Sequence, residues 1–121
     1  MIGIGTDLVE LDRFRLALER TPGLVGRIFS EAEQSYARRR ADPTERFAAR
    51  FAAKEAVLKA MGVGLWACPL REIEVVRAGS GQPALVLHGK ASALAAERGV
   101  HEWRLTLTHT HRAAQAIAVA L

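Results

Sequence analysis

Residues 42–62 constrain this chain more than any other stretch. Asp42-Pro43-Thr44-Glu45 reads as a helix start, with Asp42 as N-cap and Pro43 at the first helical position. RFAARFAAKEAVLKAM then runs without a breaker to Gly62, the residue suited to end it. Phe47, Phe51 and Leu58 trace an apolar stripe, and Glu55, four residues after Phe51, falls on it. A carboxylate there is costly unless it is paired or bound to a cation. Lys59 at i+4 offers an ordinary helix ion pair, worth about 0.2–0.5 kcal/mol; a bound cation is the alternative. Arg46, Arg50, Lys54 and Lys59 on a helix with few acids look like an anion-binding surface rather than a balanced solvated face.

The elements around this helix follow from simpler patterns. Met1 to Val9 alternates Ile2, Ile4, Thr6 and Leu8 with Gly3, Gly5, Asp7 and Val9, the period of a strand. Its glycines let a ligand or another backbone come close to Asp7. Asp7 itself is either a cap of the following helix, Glu10–Arg20, or a ligand. Thr21-Pro22-Gly23 stops that helix, and Ser30 with Glu33 forms a capping box opening another to about Arg40. In the second half, Glu72–Arg77 and Ala84–His88 read as strands around a Gly79–Pro83 turn. Ala91–Arg98 reads as a short helix, and Glu102–Thr110 with Ala113–Leu121 as a closing strand pair. One strand, a block of helices and then mostly antiparallel strands predict an α+β fold in a single domain, residues 1–121.

Composition narrows function by exclusion. No apolar run reaches the roughly 18 residues of a membrane span, and the N-terminus has neither the basic nor the apolar region of a secretory signal. The single cysteine, Cys68, rules out an internal disulfide and a cysteine-based zinc site; without an adjoining base it reads as a small buried residue, not a nucleophile. The expectation is a soluble cytoplasmic protein. Seventeen Lys and Arg against thirteen Asp and Glu favour an anionic partner: nucleic acid, a phosphorylated small molecule or an acidic protein. Two Trp, one Tyr and four Phe are too few for a stacking platform on single strands, which weighs against nucleic acid. Trp66 and Trp103 read as core or interface residues. His109 and His111, spaced as H-x-H on a strand, share a face, yet zinc needs a further ligand that the sequence does not offer nearby. A basic nucleic-acid module and a phosphohydrolase built on His109, His111 and Asp7 are the competing classes. Two carboxylates among several bases instead fit Mg²⁺, which takes one or two carboxylates and completes its shell with phosphate and water.

GIGTDLVEL (Gly3–Leu11), RIFSEAE (Arg27–Glu33), RFAARFAAKEAVLKAMGVG (Arg46–Gly64), SGQP (Ser80–Pro83) and LTLTHTHRAAQAIAV (Leu105–Val119) resemble, in order, the motifs of holo-acyl-carrier-protein synthases. The resemblance covers nearly the whole chain and implies the 4'-phosphopantetheinyl transferase fold. It implies transfer of 4'-phosphopantetheine from coenzyme A to a serine of apo-acyl carrier protein in fatty-acid biosynthesis, releasing adenosine 3',5'-bisphosphate. Asp7 and Glu55 would be the Mg²⁺ ligands, with Glu55, directly or through a metal-bound water, taking the serine proton. Lys59 would steady the phosphate oxygens. Arg50 and His109 would meet the adenosine end of coenzyme A, Pro83 and Thr110 would also bind the cofactor, and Gly62 and Gly64 would let backbone approach it. Arg13, Arg20 and Arg27 would dock the acidic carrier protein. The resemblance further implies a homotrimer with active sites shared across subunit boundaries. Two departures stand out: Thr106 where the family usually has serine, and LWACPLREIEV after Gly64 in place of a glycine-rich polar run, which leaves the 65–71 loop without a template.

Overall fold

Gly3 and Gly5 decide how the chain packs. A Cβ built on Gly3 would sit 2.0 Å from the carbonyl oxygen of Ala60, and one on Gly5 would sit 2.0 Å from that of Ala56. Both carbonyls belong to the long helix, so the glycines let strand and helix backbones touch. The structure, a computed structural model, describes all 121 residues. Strand β1 (Gly3–Glu10) leads into helices α1 (Leu11–Arg20), α2 (Leu24–Ile28), α3 (Glu31–Ala37) and α4 (Thr44–Met61). A 3-10 turn (Leu70–Glu72), strands β2 (Ile73–Arg77) and β3 (Pro83–Leu87), helix α5 (Gly89–Glu97) and strands β4 (Trp103–His109) and β5 (Ala113–Ala120) complete it. The α+β expectation holds, but the strands form two antiparallel sheets, β1-β5-β4 and the β2-β3 hairpin.

Helix α4 lies on the three-stranded sheet through small side chains on both partners. Residues directly opposite across an antiparallel pair share a face. Gly3, Gly5, Asp7 and Val9 are thereby aligned with Ala120, Ala118, Ala116 and Ala114 of β5. All four of those alanines are buried, as are Ala49, Ala52, Ala53, Ala56 and Ala60 of α4. Larger residues fill the space beyond this seam, where Phe29 packs at a tilt on Phe47 and Phe14 stacks on Phe51, at 4.7 and 5.1 Å between ring centres. The opposite face of the sheet is uncovered: Ile4 is 59% and Leu8 64% exposed, with Ile2 and Ile117 beside them. No helix is long and apolar enough to cross a membrane.

Several local expectations shift. The capping box forms as read, with Ser30 N–H donating to Glu33 Oε1 and Glu33 N–H to Ser30 Oγ, but α3 ends at Ala37 rather than near Arg40. Asp42 Oδ1 accepts the N–H of Thr44, two residues on, so Pro43 lies outside α4 instead of opening it. The stretch after Gly23 contains α2, which the sequence reading passed over. Its Ile28 and the following Phe29 are buried, so tertiary packing holds a helix too short to signal itself. Trp66 is not a core residue: it is 71% exposed, on a loop where its φ is +76°. Cys68 is buried, as expected.

Candidate active site

Asp7 follows Gly3 and Gly5 on the same face of β1, so the close approach of β1 to α4 carries its carboxylate to the flank of the helix. There Lys59 Nζ donates to Asp7 Oδ1 at 3.1 Å and to the carbonyl of Thr6 at 3.0 Å. Asp7 is not a helix cap: Glu10 occupies that position on α1, and no side chain caps it. Asp7 and Glu55 line one open cleft of about 440 Å³, together with Glu10, Arg13, Phe14 and Phe51. Glu55 is half-buried. Burial foremost, and the charge of Asp7 next, push its carboxyl above the ordinary 4.5, with Lys59 opposing them. The i, i+4 pair between Glu55 and Lys59 does not form; the lysine turns to Asp7 instead. The two carboxylates therefore converge on a cleft where negative charge is under-compensated, the condition that favours a bound cation. No group of three or more His, Cys, Asp or Glu side chains converges to hold a metal. Protein groups alone do not form a complete coordination shell. Two carboxylates are nonetheless the set Mg²⁺ takes when phosphate supplies the rest.

A second cleft, of about 290 Å³, brings together Arg50, Arg46, Arg77, Tyr36, Pro83 and His109. Arg50 and Glu55 are five residues apart on α4, roughly 140° around its axis. The two clefts flank different sides of the helix and share no residue. Arg50 is only 4% exposed, and its Nε is buried without a partner. Burial first of all lowers its pKa below the ordinary guanidinium range; Tyr36 and Glu33 counter that, while the charges of Arg77 and Arg46 reinforce it. His109 closes β4 with Nε2 3.4 Å from Glu45 Oε1. Pro83, the first residue of β3, comes from a different sheet.

Other predicted residues are placed differently. Lys54 is no part of an anion-binding surface: it is fully buried, donating to Glu33 Oε1 at 2.9 Å and to the carbonyls of Leu70 and Ile73. It fastens α4 to the start of α3 and to β2. His111 lies in the turn beyond β4, so the H-x-H pair does not share a strand face. Thr110 Oγ1 accepts the N–H groups of Arg112 and Ala113 and organises that turn. Gly62 ends α4 with φ +72°, and neither it nor Gly64 lines either cleft. Arg13 borders the carboxylate cleft, Arg20 is exposed at the end of α1, and Arg27 lines a separate hollow with Trp66 and Lys90. Tyr36, Arg77 and Glu45 escaped sequence reading because only tertiary packing gathers them around Arg50.

Residues 3–120 match the 4'-phosphopantetheinyl transferase superfamily. The chain belongs to that superfamily. Within this superfamily it is 43% identical over 119 residues to the holo-acyl-carrier-protein synthase of Moorella thermoacetica, covering 98% of this chain and 93% of that protein. It is 38% identical over 120 residues to the synthase of Caldanaerobacter subterraneus, covering 99% and 94%. Among solved structures, the holo-acyl-carrier-protein synthase of Neisseria meningitidis superposes with a TM-score of 0.91 at 30% identity, covering 100% of this chain and 98% of that one. A coenzyme A complex of the Chronobacterium ammoniagenes enzyme superposes at 0.84 and 30% identity, covering 96% and 93%. The superfamily fold inferred from the motifs is the fold observed.

Proposed function

We propose that this chain is a Mg²⁺-dependent holo-acyl-carrier-protein synthase, moving 4'-phosphopantetheine from coenzyme A to a serine of apo-acyl carrier protein. The observation that carries this reading is the convergence of Asp7 and Glu55 on one cleft, with Lys59 paired to Asp7 beside it. In the reaction the serine oxygen bonds to the pantetheine-side phosphorus of the pyrophosphate. The bond from that phosphorus to the bridging oxygen breaks, and adenosine 3',5'-bisphosphate leaves with the electron pair. Asp7 and Glu55 would hold the metal. When bound, Mg²⁺ neutralises charge on the pyrophosphate and orients it. Glu55, its proton affinity raised by burial, is suited to take the serine proton, directly or by way of a water. Lys59, tethered to Asp7 and still half-exposed, presents its charge to the phosphate oxygens.

Arg50, Pro83 and His109 receive the adenosine end of coenzyme A in this reading. They sit across α4 from the carboxylates, so one cofactor is best held between the carboxylate cleft of one chain and the arginine cleft of another. The uncovered Ile4, Leu8 and Ile117 face of the sheet supports such an assembly, which we take to be a homotrimer. Arg13 in the lining of the carboxylate cleft, Arg20 at the end of α1 and Arg27 on α2 would offer the acidic carrier protein complementary charge, which chiefly raises the on-rate. The cytoplasm is where this reading places the reaction. Incubation with apo-acyl carrier protein, coenzyme A and Mg²⁺, followed by weighing the carrier in a mass spectrometer, tests it. The carrier gains one phosphopantetheine; no gain, under conditions where an established synthase modifies the same carrier, overturns the proposal.

A further inference from the structure

Tyr36 stands at the centre of the arginine cleft. The guanidinium carbons of Arg46 and Arg50 lie 4.1 and 4.3 Å from its ring centre, and those of Arg77 and Arg39 lie 5.6 and 5.8 Å away. Two hydrogen bonds fix the arrangement: Arg77 Nη1 donates to Tyr36 Oη at 2.8 Å, and Arg46 Nη1 to the Tyr36 carbonyl at 2.8 Å. Arg40 also lines the cleft, and its one carboxylate, Glu45, is already engaged by Arg40 at 3.6 Å and His109 at 3.4 Å. Guanidinium groups gathered this closely repel one another. An aromatic face attracts each of them without neutralising any. The buried, unpartnered Nε of Arg50 is a further sign that the cluster is completed by something the chain does not supply.

A phosphate monoester meets that need, because its dianion accepts the paired N–H groups of several planar guanidinium forks at once. We propose that Tyr36 is a positioning residue that orients Arg46, Arg50 and Arg77 to hold the 3'-phosphate of coenzyme A, and so sets the preference for coenzyme A over its 3'-dephospho form. This rests on the synthase reading, in which the pyrophosphate is committed to the carboxylate cleft and only the 3'-phosphate remains to be held. Tyr36 does not touch the cofactor. Its ring sets the guanidinium planes and its hydroxyl anchors Arg77.

Steady-state kinetics with coenzyme A and with 3'-dephospho-coenzyme A, for the unaltered enzyme, Tyr36→Phe and Tyr36→Leu, test the proposal. Removing the ring in Tyr36→Leu raises the KM for coenzyme A by about tenfold, with kcat within about twofold and the KM for the dephospho form within about twofold. Tyr36→Phe keeps the ring, loses the Arg77 anchor and gives an intermediate, equally selective rise; it carries the test if Tyr36→Leu fails to fold by thermal melting. An unchanged KM for coenzyme A, or equal losses with both cofactors, overturns the role of Tyr36. An unaltered protein that transfers from neither cofactor overturns the synthase reading instead.

Discussion

Gly5→Ala is the substitution that best probes how the fold builds the site. The added Cβ would lie 2.0 Å from the carbonyl oxygen of Ala56, 2.7 Å from the nitrogen of Ala60 and 2.9 Å from the Cβ of Lys59. An unstrained carbon–oxygen contact is about 3.3 Å, so strand and helix must separate by roughly 1 Å. Two of the three obstacles are helix backbone, which cannot turn aside as a flexible side chain can. Overpacking costs about 1–3 kcal/mol, and backbone obstacles place this case near 3 kcal/mol. For a domain of this size that lowers Tm by about 10 °C. Asp7 is two residues further along the same strand face, and a displacement of about 1 Å at a reacting centre can cost about a hundredfold in rate. Thermal melting and the initial rate of carrier modification measure both effects. Gly26→Ala is the control, because a Cβ there meets nothing within 4 Å. A Gly5→Ala protein that melts within about 2 °C of the unaltered chain and retains its rate would refute the close-approach reasoning.

Lys54→Met leaves Glu33 buried without its cation, at a cost of about 3–5 kcal/mol; denaturant unfolding should show the midpoint falling accordingly. Glu55→Gln has the opposite sign. The folded chain holds the Glu55 proton more tightly than the unfolded chain does, so that contribution is full below the ordinary 4.5 and is lost as pH rises through the elevated folded value. Without Mg²⁺, Glu55→Gln therefore melts higher than the unaltered chain at pH 7 and level with it at pH 4, and equal melting at both would contradict the burial of that charge. At coenzyme A well below its normal KM, Glu55→Gln and Arg50→Met chains, each nearly inactive alone, should recover about a quarter of the normal activity when co-assembled in equal amounts, since about a quarter of random subunit contacts pair two intact half-sites. No recovery in verified mixed assemblies would place each site within one chain.

What was legible in the sequence were features written in local pattern. The Ser30–Glu33 capping box, the stop at Gly62 and the alternation of β1 all appear in the structure. Glu55 was conspicuous as a carboxylate on an apolar helix stripe, and the cleft it lines with Asp7 explains its position. Asp7 was not distinguishable from a cap, because the approach that makes it a site residue depends on Ala56 and Ala60, about fifty residues away in the chain. Lys54 misled for the same reason. A basic row on a helix looks solvated until Glu33 and the carbonyls of Leu70 in the 3-10 turn and Ile73 in β2 close over one of its members. Tyr36 gave no local signal, since the arginines around it come from α4, β2 and the segment between α3 and α4.

The most direct measurement is carrier modification, followed by mass, with the unaltered chain and with Asp7→Asn, both in saturating Mg²⁺ and coenzyme A. Asp7→Asn keeps the size of the side chain and removes its charge. Convergence of the two carboxylates on one reacting centre predicts a folded Asp7→Asn protein whose turnover falls by about a hundredfold or more. Turnover at the unaltered rate in Asp7→Asn would contradict it.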